Sequence, residues 1–122
     1  MDVHQGDIYW VTIRQEETKG SEQYGRRPFI VVSSHAVNKT LKTVVVVPMS
    51  TSVDNQPPYR ILIPVSQITK DIMCKSPLEK SVAKTDQVRV IDKSRLEEKI
   101  GRLSQTATLS VSLGLAFVLN IR

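Results

Sequence analysis

One short segment, Gly20-Ser21-Glu22-Gln23-Tyr24-Gly25-Arg26-Arg27-Pro28-Phe29, gathers the groups that phosphate-directed chemistry needs. Its two glycines permit unusual backbone angles and the close approach of a ligand. Pro28 fixes the entry into an apolar run, so Arg27 sits at a rigid junction and not on a loop tip. A guanidinium offers a planar fork of donors that matches phosphate geometry and keeps its proton. The competing reading is a loop arginine paired with Glu16 or Glu22, and the residue types alone do not choose between the two. A second cluster, Pro48-Met49-Ser50-Thr51-Ser52, places three hydroxyls at the end of an apolar run. They can hydrogen-bond a phosphate, although taken alone ordinary turn chemistry accounts for them more simply. A third element, Lys84-Thr85-Asp86-Gln87, sets a cation beside side chains able to donate and accept at a base edge.

Other chemistries lack their residues. The sequence holds no GxxxxGK[ST] loop, no GxGxxG, no HExxH and no GxSxG elbow. The two histidines, His4 and His35, are far apart in sequence and read as surface or loop residues. Cys74 is the single cysteine, so no internal disulfide and no Cys/His zinc cluster can form, and it reads as a buried or incidental thiol. No metal or cofactor is expected, and the natural compartment is a reducing cytoplasm. Met1-Asp2-Val3-His4-Gln5-Gly6-Asp7 does not resemble a secretory signal, and no apolar run approaches the roughly 20 residues that span a bilayer. Seventeen Lys and Arg against twelve Asp and Glu leave a net charge of +5, with a pI near 9.6. Such an excess favours a polyanionic partner (RNA, DNA or an acidic protein segment) without choosing among them.

The elements that must position these residues read mainly as strands of a single domain, residues 1–122. Ile8-Tyr9-Trp10-Val11-Thr12-Ile13 is β-branched and aromatic, while Phe29–Ser33 and Thr43–Val47 are short continuous apolar runs. Runs of that kind suit strands buried on both faces, as in the wall of a small closed barrel. Residues 61–63 and 87–91 complete an expected set of five. Two connections, 14–28 and 65–80, exceed the roughly 12–15 residues at which a structureless loop becomes suspect. Residues 66–73 can supply a helical turn or two. Ser94-Arg95-Leu96-Glu97 reads as a capping box opening a short helix. Residues 107–119 alternate like a strand, yet Ala107, Val111, Leu115 and Val118 also fit one helical face. Their length and a plausible N-cap at Ser104 favour helix.

Taken in order, these segments resemble the MazF/PemK family of toxins. Gly6-Asp7-Ile8-Tyr9-Trp10 resembles its opening strand, and Gly20-Ser21-Glu22 with Gly25-Arg26-Arg27-Pro28 its G-S-E and G-x-R-P signature. Val46-Val47-Pro48-Met49-Ser50-Thr51 is similar to its V-P-x-T-[TS]. Asp86-Gln87-Val88-Arg89-Val90-Ile91-Asp92, Arg95-Leu96 and Gly101-Arg102-Leu103-Ser104 continue the match. The resemblance runs over nearly the whole chain and rests on no single motif. It implies a mainly β fold, an SH3-like small barrel of the CcdB/MazF/PemK type with short helices and a long carboxyl-terminal helix, packed as a homodimer. It also implies a toxin endoribonuclease that cuts single-stranded RNA, mRNA foremost, at short motifs. An acidic antitoxin neutralises it, operator DNA is contacted only through that antitoxin, and no membrane is involved.

By the same resemblance the catalytic arginine falls on Arg27 and the catalytic threonine on Ser50. Here the chain departs by carrying serine with Thr51 adjacent, which leaves the hydroxyl open between the two. Substrate-contact positions fall on Ser21, Glu22, Asp86 and Gln87, with Gln23, Tyr24 and Lys84 beside them. PemK-like members use an arginine and an aspartate near the last strand as base and acid, and Lys84 stands at that arginine's position. The implied reaction needs no metal, because RNA carries its own nucleophile in the 2′-hydroxyl. Two rivals are a non-enzymatic gyrase-binding toxin on the same barrel and an RNA-binding-only member. The first has no use for a phosphate site. The second usually displays several exposed aromatics for stacking, and this chain is poor in aromatics.

Overall fold

A computed structural model describes residues 2–21 and 24–121 of the chain. Eight strands and two α-helices follow in order: β1 (Asp7–Ile13), β2 (Gly25–Val31), α1 (His35–Thr40), β3 (Thr43–Ser50), β4 (Ile61–Ile63), β5 (Ile68–Lys70), β6 (Ser81–Ala83), β7 (Arg89–Asp92), β8 (Lys99–Leu103) and α2 (Gln105–Val118). The strands form one barrel-like antiparallel sheet in the order β4-β6-β3-β2-β1-β8-β5. On the edge of β3 away from β2, β7 pairs with its first half and β6 with its last residues.

The continuous apolar runs are buried on both faces, as their composition requires. Ile8, Ile30, Val47 and Met49 point into one core with Ile63, Leu103, Ala107 and Val111. Their neighbours Tyr9, Val11, Phe29, Val31, Val44 and Val46 point into a second core with Ile91 and Leu96. Two-residue alternation on three adjacent strands thus serves two cores at once. Each such side chain stabilises the fold by about 1.5–3 kcal/mol relative to exposure. Gly6-Asp7 opens β1 for a different reason. The Asp7 carboxylate is fully buried and accepts from the His4 amide at 2.9 Å and from Arg102 Nε at 2.8 Å. Lys99 Nζ lies 3.4 Å from it, so the buried charge is compensated.

The helical turn expected within 66–73 is present as one 3₁₀ turn (Val65–Gln67), and β5 follows it and pairs with β8. Two other local expectations are corrected by the structure. Ser94 does not open a capping-box helix. Asp92 is the cap, accepting from the Ser94 amide at 2.8 Å, and the 3₁₀ turn ends at Arg95. Leu96 is drawn into the second core, and the Glu97 amide donates to the Trp10 carbonyl at 2.8 Å. The chain must therefore extend into β8. Gln87, expected to start a strand, closes a 3₁₀ turn (Thr85–Gln87), and β7 begins at Arg89. The helix α1 was not expected from the sequence.

The ambiguous carboxyl-terminal segment is helix. Ser104 Oγ accepts from the Ala107 amide at 3.0 Å, and α2 buries Ala107, Val111 and Gly114. Gly114 is required by close approach: a Cβ there would lie 2.6 Å from the Tyr59 carbonyl oxygen and 3.0 Å from Thr85 Cγ2. Glycine to alanine within a helix normally stabilises. Here the backbone oxygen cannot yield cheaply, so Gly114→Ala is expected to destabilise by about 1–3 kcal/mol. A thermal melt checks the sign, and an unchanged or raised midpoint would contradict this packing. Among the described residues, no helix is long and apolar enough to cross a membrane.

Candidate active site

β2 begins at Gly25, whose φ of +89° is costly for any residue with a side chain. That turn folds the preceding loop back on the strand, and Arg27 Nε donates to the Tyr24 carbonyl at 3.2 Å. Arg27 itself is inside the strand, paired with Val11 of β1, which gives the guanidinium a rigid base. Its neighbour Arg26 is committed elsewhere. Its guanidinium lies 4.4 Å over the Trp10 ring, and its Nε donates to Glu97 at 3.0 Å. Among the described residues no carboxylate forms an ion pair with Arg27. The pairing with Glu16 that the sequence left open is not made, and Glu22 lies outside the described residues.

Arg27, Ser50 and Thr51 line one cleft of about 240 Å³, together with Trp10, Arg26, Pro28, Leu78, Glu79 and Ser81. The β2–β3 register pairs Phe29 with Pro48, and continued by two residues it sets Arg27 opposite Ser50. Thr51, one residue beyond the end of β3, lines the same cleft. Ser50 Oγ accepts from the Ser52 amide at 3.2 Å, which leaves its hydroxyl proton available to an oxygen in the cleft. A phosphate seated here would meet a guanidinium and a hydroxyl on one strand pair.

The third cluster adjoins this cleft along the same strands. Phe29 and Pro48 line a neighbouring hollow with Asp86, Gln87 and Arg89. The Lys84 amide donates to the Pro48 carbonyl at 2.9 Å. Burial pushes the Lys84 ammonium below its ordinary range, and Arg60 and Arg27 push the same way against the opposing pull of Asp86. Gln87 Nε2 reaches the Ser21 carbonyl at 3.5 Å, tying the 20s loop to the turn. Ser21 and Tyr24 are exposed at that rim. Glu22 and Gln23, expected to contact substrate, lie outside the described residues.

Asp86 is exposed, but both of its carboxylate oxygens are engaged. Arg60 Nε and Nη2 each donate to one of its carboxylate oxygens at 2.7 Å. That fork holds the carboxyl below the usual carboxylate range, against the opposing effect of burial. Arg60, Gln56, Trp10 and Glu79 were not singled out from the sequence. Only spatial pairing reveals them, since Arg60 and Asp86 stand 26 residues apart. The histidines stay away from the site: His4 packs by Arg102 and Asp7, and His35 opens α1. Cys74 is buried in the first core.

Comparison with known proteins identifies the family. The chain matches the family model described as "PemK-like, MazF-like toxin of type II toxin-antitoxin system" over residues 4–119. It is 32% identical over 121 residues to Endoribonuclease MazF of Staphylococcus epidermidis, covering 93% of this chain and 92% of that protein. The corresponding protein of Staphylococcus saprophyticus is 29% identical, with the same coverage. MazF from Deinococcus radiodurans has the same fold, with a TM-score of 0.78 at 21% identity over 99% of both chains. A MazE–MazF structure from that organism matches with a TM-score of 0.73 at 21% identity, over 100% of this chain and 99% of that one. With the family's pattern running through the whole barrel and into α2, the chain belongs to the PemK-like, MazF-like toxins of type II toxin–antitoxin systems.

Proposed function

We propose that the chain is a toxin endoribonuclease that cleaves single-stranded RNA, mRNA foremost, by attack of the 2′-hydroxyl on the adjacent phosphate. The observation that carries the reading is the cleft in which Arg27 meets Ser50 and Thr51, in a chain whose relatives are named endoribonucleases. A base takes the 2′-hydroxyl proton, the oxygen bonds to phosphorus, and the bond to the 5′-oxygen breaks as that oxygen gains a proton. The products are a 2′,3′-cyclic phosphate and a 5′-hydroxyl. Arg27 and the Ser50 hydroxyl stabilise the extra negative charge of the phosphorane by charge-assisted hydrogen bonds. Ser21, Tyr24, Lys84, Asp86 and Gln87 contact the flanking nucleotides, and the family resemblance assigns Glu22, with Gln23 beside it, to the same role. The nucleophile belongs to the substrate, so no metal is required. Incubating the purified chain with mixed-sequence RNA in EDTA and mapping the ends tests this. Cleavage at short motifs is expected, whereas a strict need for magnesium would contradict the mechanism.

The proposed partners follow from charge and exposed surface. A net charge of +5 suits RNA and also an acidic, flexible antitoxin segment laid into the same groove. The solved relatives include a MazE–MazF complex. Operator DNA is then reached only through the antitoxin, and the working compartment is the cytoplasm. On α2, Leu109, Leu113 and Phe117 are exposed side by side at 60%, 62% and 71%. An apolar stripe of that size supports a two-fold homodimer. Sedimentation at micromolar concentration should give twice the chain mass, and a species of 13.7 kDa would contradict the dimer.

A further inference from the structure

The candidate site is assembled from segments far apart in the chain. Ser50 ends β3 and Thr51 follows it, whereas Lys84, Asp86 and Gln87 belong to the turn before β7. Chemistry on a phosphate tolerates little error between such groups, and a displacement of about 1 Å can cost 10²-fold in rate. One side chain spans the gap. Arg60, the residue before β4, grips both oxygens of Asp86 at 2.7 Å. Its remaining arm, Nη1, donates to Gln56 Oε1 at 2.9 Å. Gln56 Nε2 donates in turn to the carbonyls of Ser52 at 3.0 Å and Asp54 at 3.4 Å. The Ser52 amide then donates to Ser50 Oγ at 3.2 Å. The linkage runs without a break from the Ser50 hydroxyl to the Asp86 carboxylate.

We propose that Arg60 is a positioning residue of the RNA-cleaving site, fixing the loop that carries Ser50 and Thr51 against the turn that carries Lys84, Asp86 and Gln87. The proposal rests on the ribonuclease reading above. The Arg60 and Asp86 side chains are 20% and 31% exposed. Bidentate geometry at that depth holds direction better than a surface ion pair does. A consequence for Asp86 follows: with both oxygens engaged by Arg60, it orients its turn and does not take the proton of the 2′-hydroxyl. The turn has a separate backbone anchor, since Thr85 Oγ1 donates to the Tyr59 carbonyl at 2.6 Å. Loss of the Arg60 fork should therefore loosen the site without unfolding the chain.

The test uses the full chain with Arg60→Gln, Arg60→Lys and Gln56→Ala. It reads single-turnover cleavage of RNA, affinity for an uncleavable 2′-deoxy analogue, and the thermal midpoint. Arg60→Gln should slow cleavage at saturating RNA by about 10- to 100-fold, with affinity for the analogue nearly unchanged. Arg60→Lys should not restore the rate, because a point charge cannot hold two carboxylate oxygens and an amide together. Gln56→Ala should lose less, and adding it to Arg60→Gln should cost nothing more, as members of one linkage are non-additive. A wild-type rate in Arg60→Gln, full activity in Arg60→Lys, or a loss confined to affinity overturns the proposal. Should Arg60→Gln fail to fold, a folded Gln56→Ala with the wild-type rate overturns it equally. A wild-type chain that cuts no RNA overturns the ribonuclease reading itself, a result distinct from any of these.

Discussion

Arg27→Ala is expected to lower the single-turnover rate of RNA cleavage by about 10²–10³, the usual cost of losing one donor to a developing anion. Binding of an uncleavable RNA should weaken far less, because the guanidinium acts most strongly on charge that appears in the transition state. Arg27→Lys should be nearly as damaging, since it keeps the charge and loses the fork. Arg26→Ala is the informative control. Arg26 stacks on Trp10 and pairs with Glu97, so its removal should cost packing and a contact at the rim while leaving the chemical step close to normal. An essential Arg26 beside a dispensable Arg27 would show that the roles on β2 have been assigned to the wrong arginine.

Ser50→Ala should reduce the rate by a similar factor, about 10², whereas Thr51→Val should have a small effect. Sequence alone leaves these two hydroxyls equivalent. The register favours Ser50: continued from Phe29 and Pro48 it sets Ser50 across from Arg27, while Thr51 lies beyond the last residue of β3. Ser50 is also the one tied through Ser52 and Gln56 to the rest of the site. Single-turnover rates for the two variants decide the matter, and a large loss confined to Thr51→Val would reverse the assignment.

What could be read from the sequence depended on whether the cause was local. Phe29–Ser33 and Thr43–Val47 announced two-sided burial because every residue in such runs must find a core, and the structure supplies one on each face. Ser104 announced α2 because a cap acts within three residues. By contrast, β5 and β6 are three residues each, too short to carry a period, and β8 is interrupted by Gly101 and Arg102. Their existence depends on partners elsewhere in the sheet. Ser94–Glu97 carried a local helix signal that tertiary packing overrode, since Leu96 is buried and the Glu97 carboxylate is taken by Thr12 and Arg26. In the site, Arg27 and Ser50 were visible through motif and resemblance. Arg60 was not, because nothing around residues 57–60 signals a carboxylate that arrives from the turn before β7.

The account turns on the substrate's own 2′-hydroxyl as nucleophile. Two RNAs of identical sequence, one with a single 2′-deoxynucleotide 5′ to the scissile phosphate, should be incubated with the chain in EDTA and their products mapped. The all-ribose strand should be cut to a 2′,3′-cyclic phosphate and a 5′-hydroxyl, and the substituted strand should stay intact at that position while binding normally. Cleavage of the substituted strand at the same phosphate would contradict the mechanism.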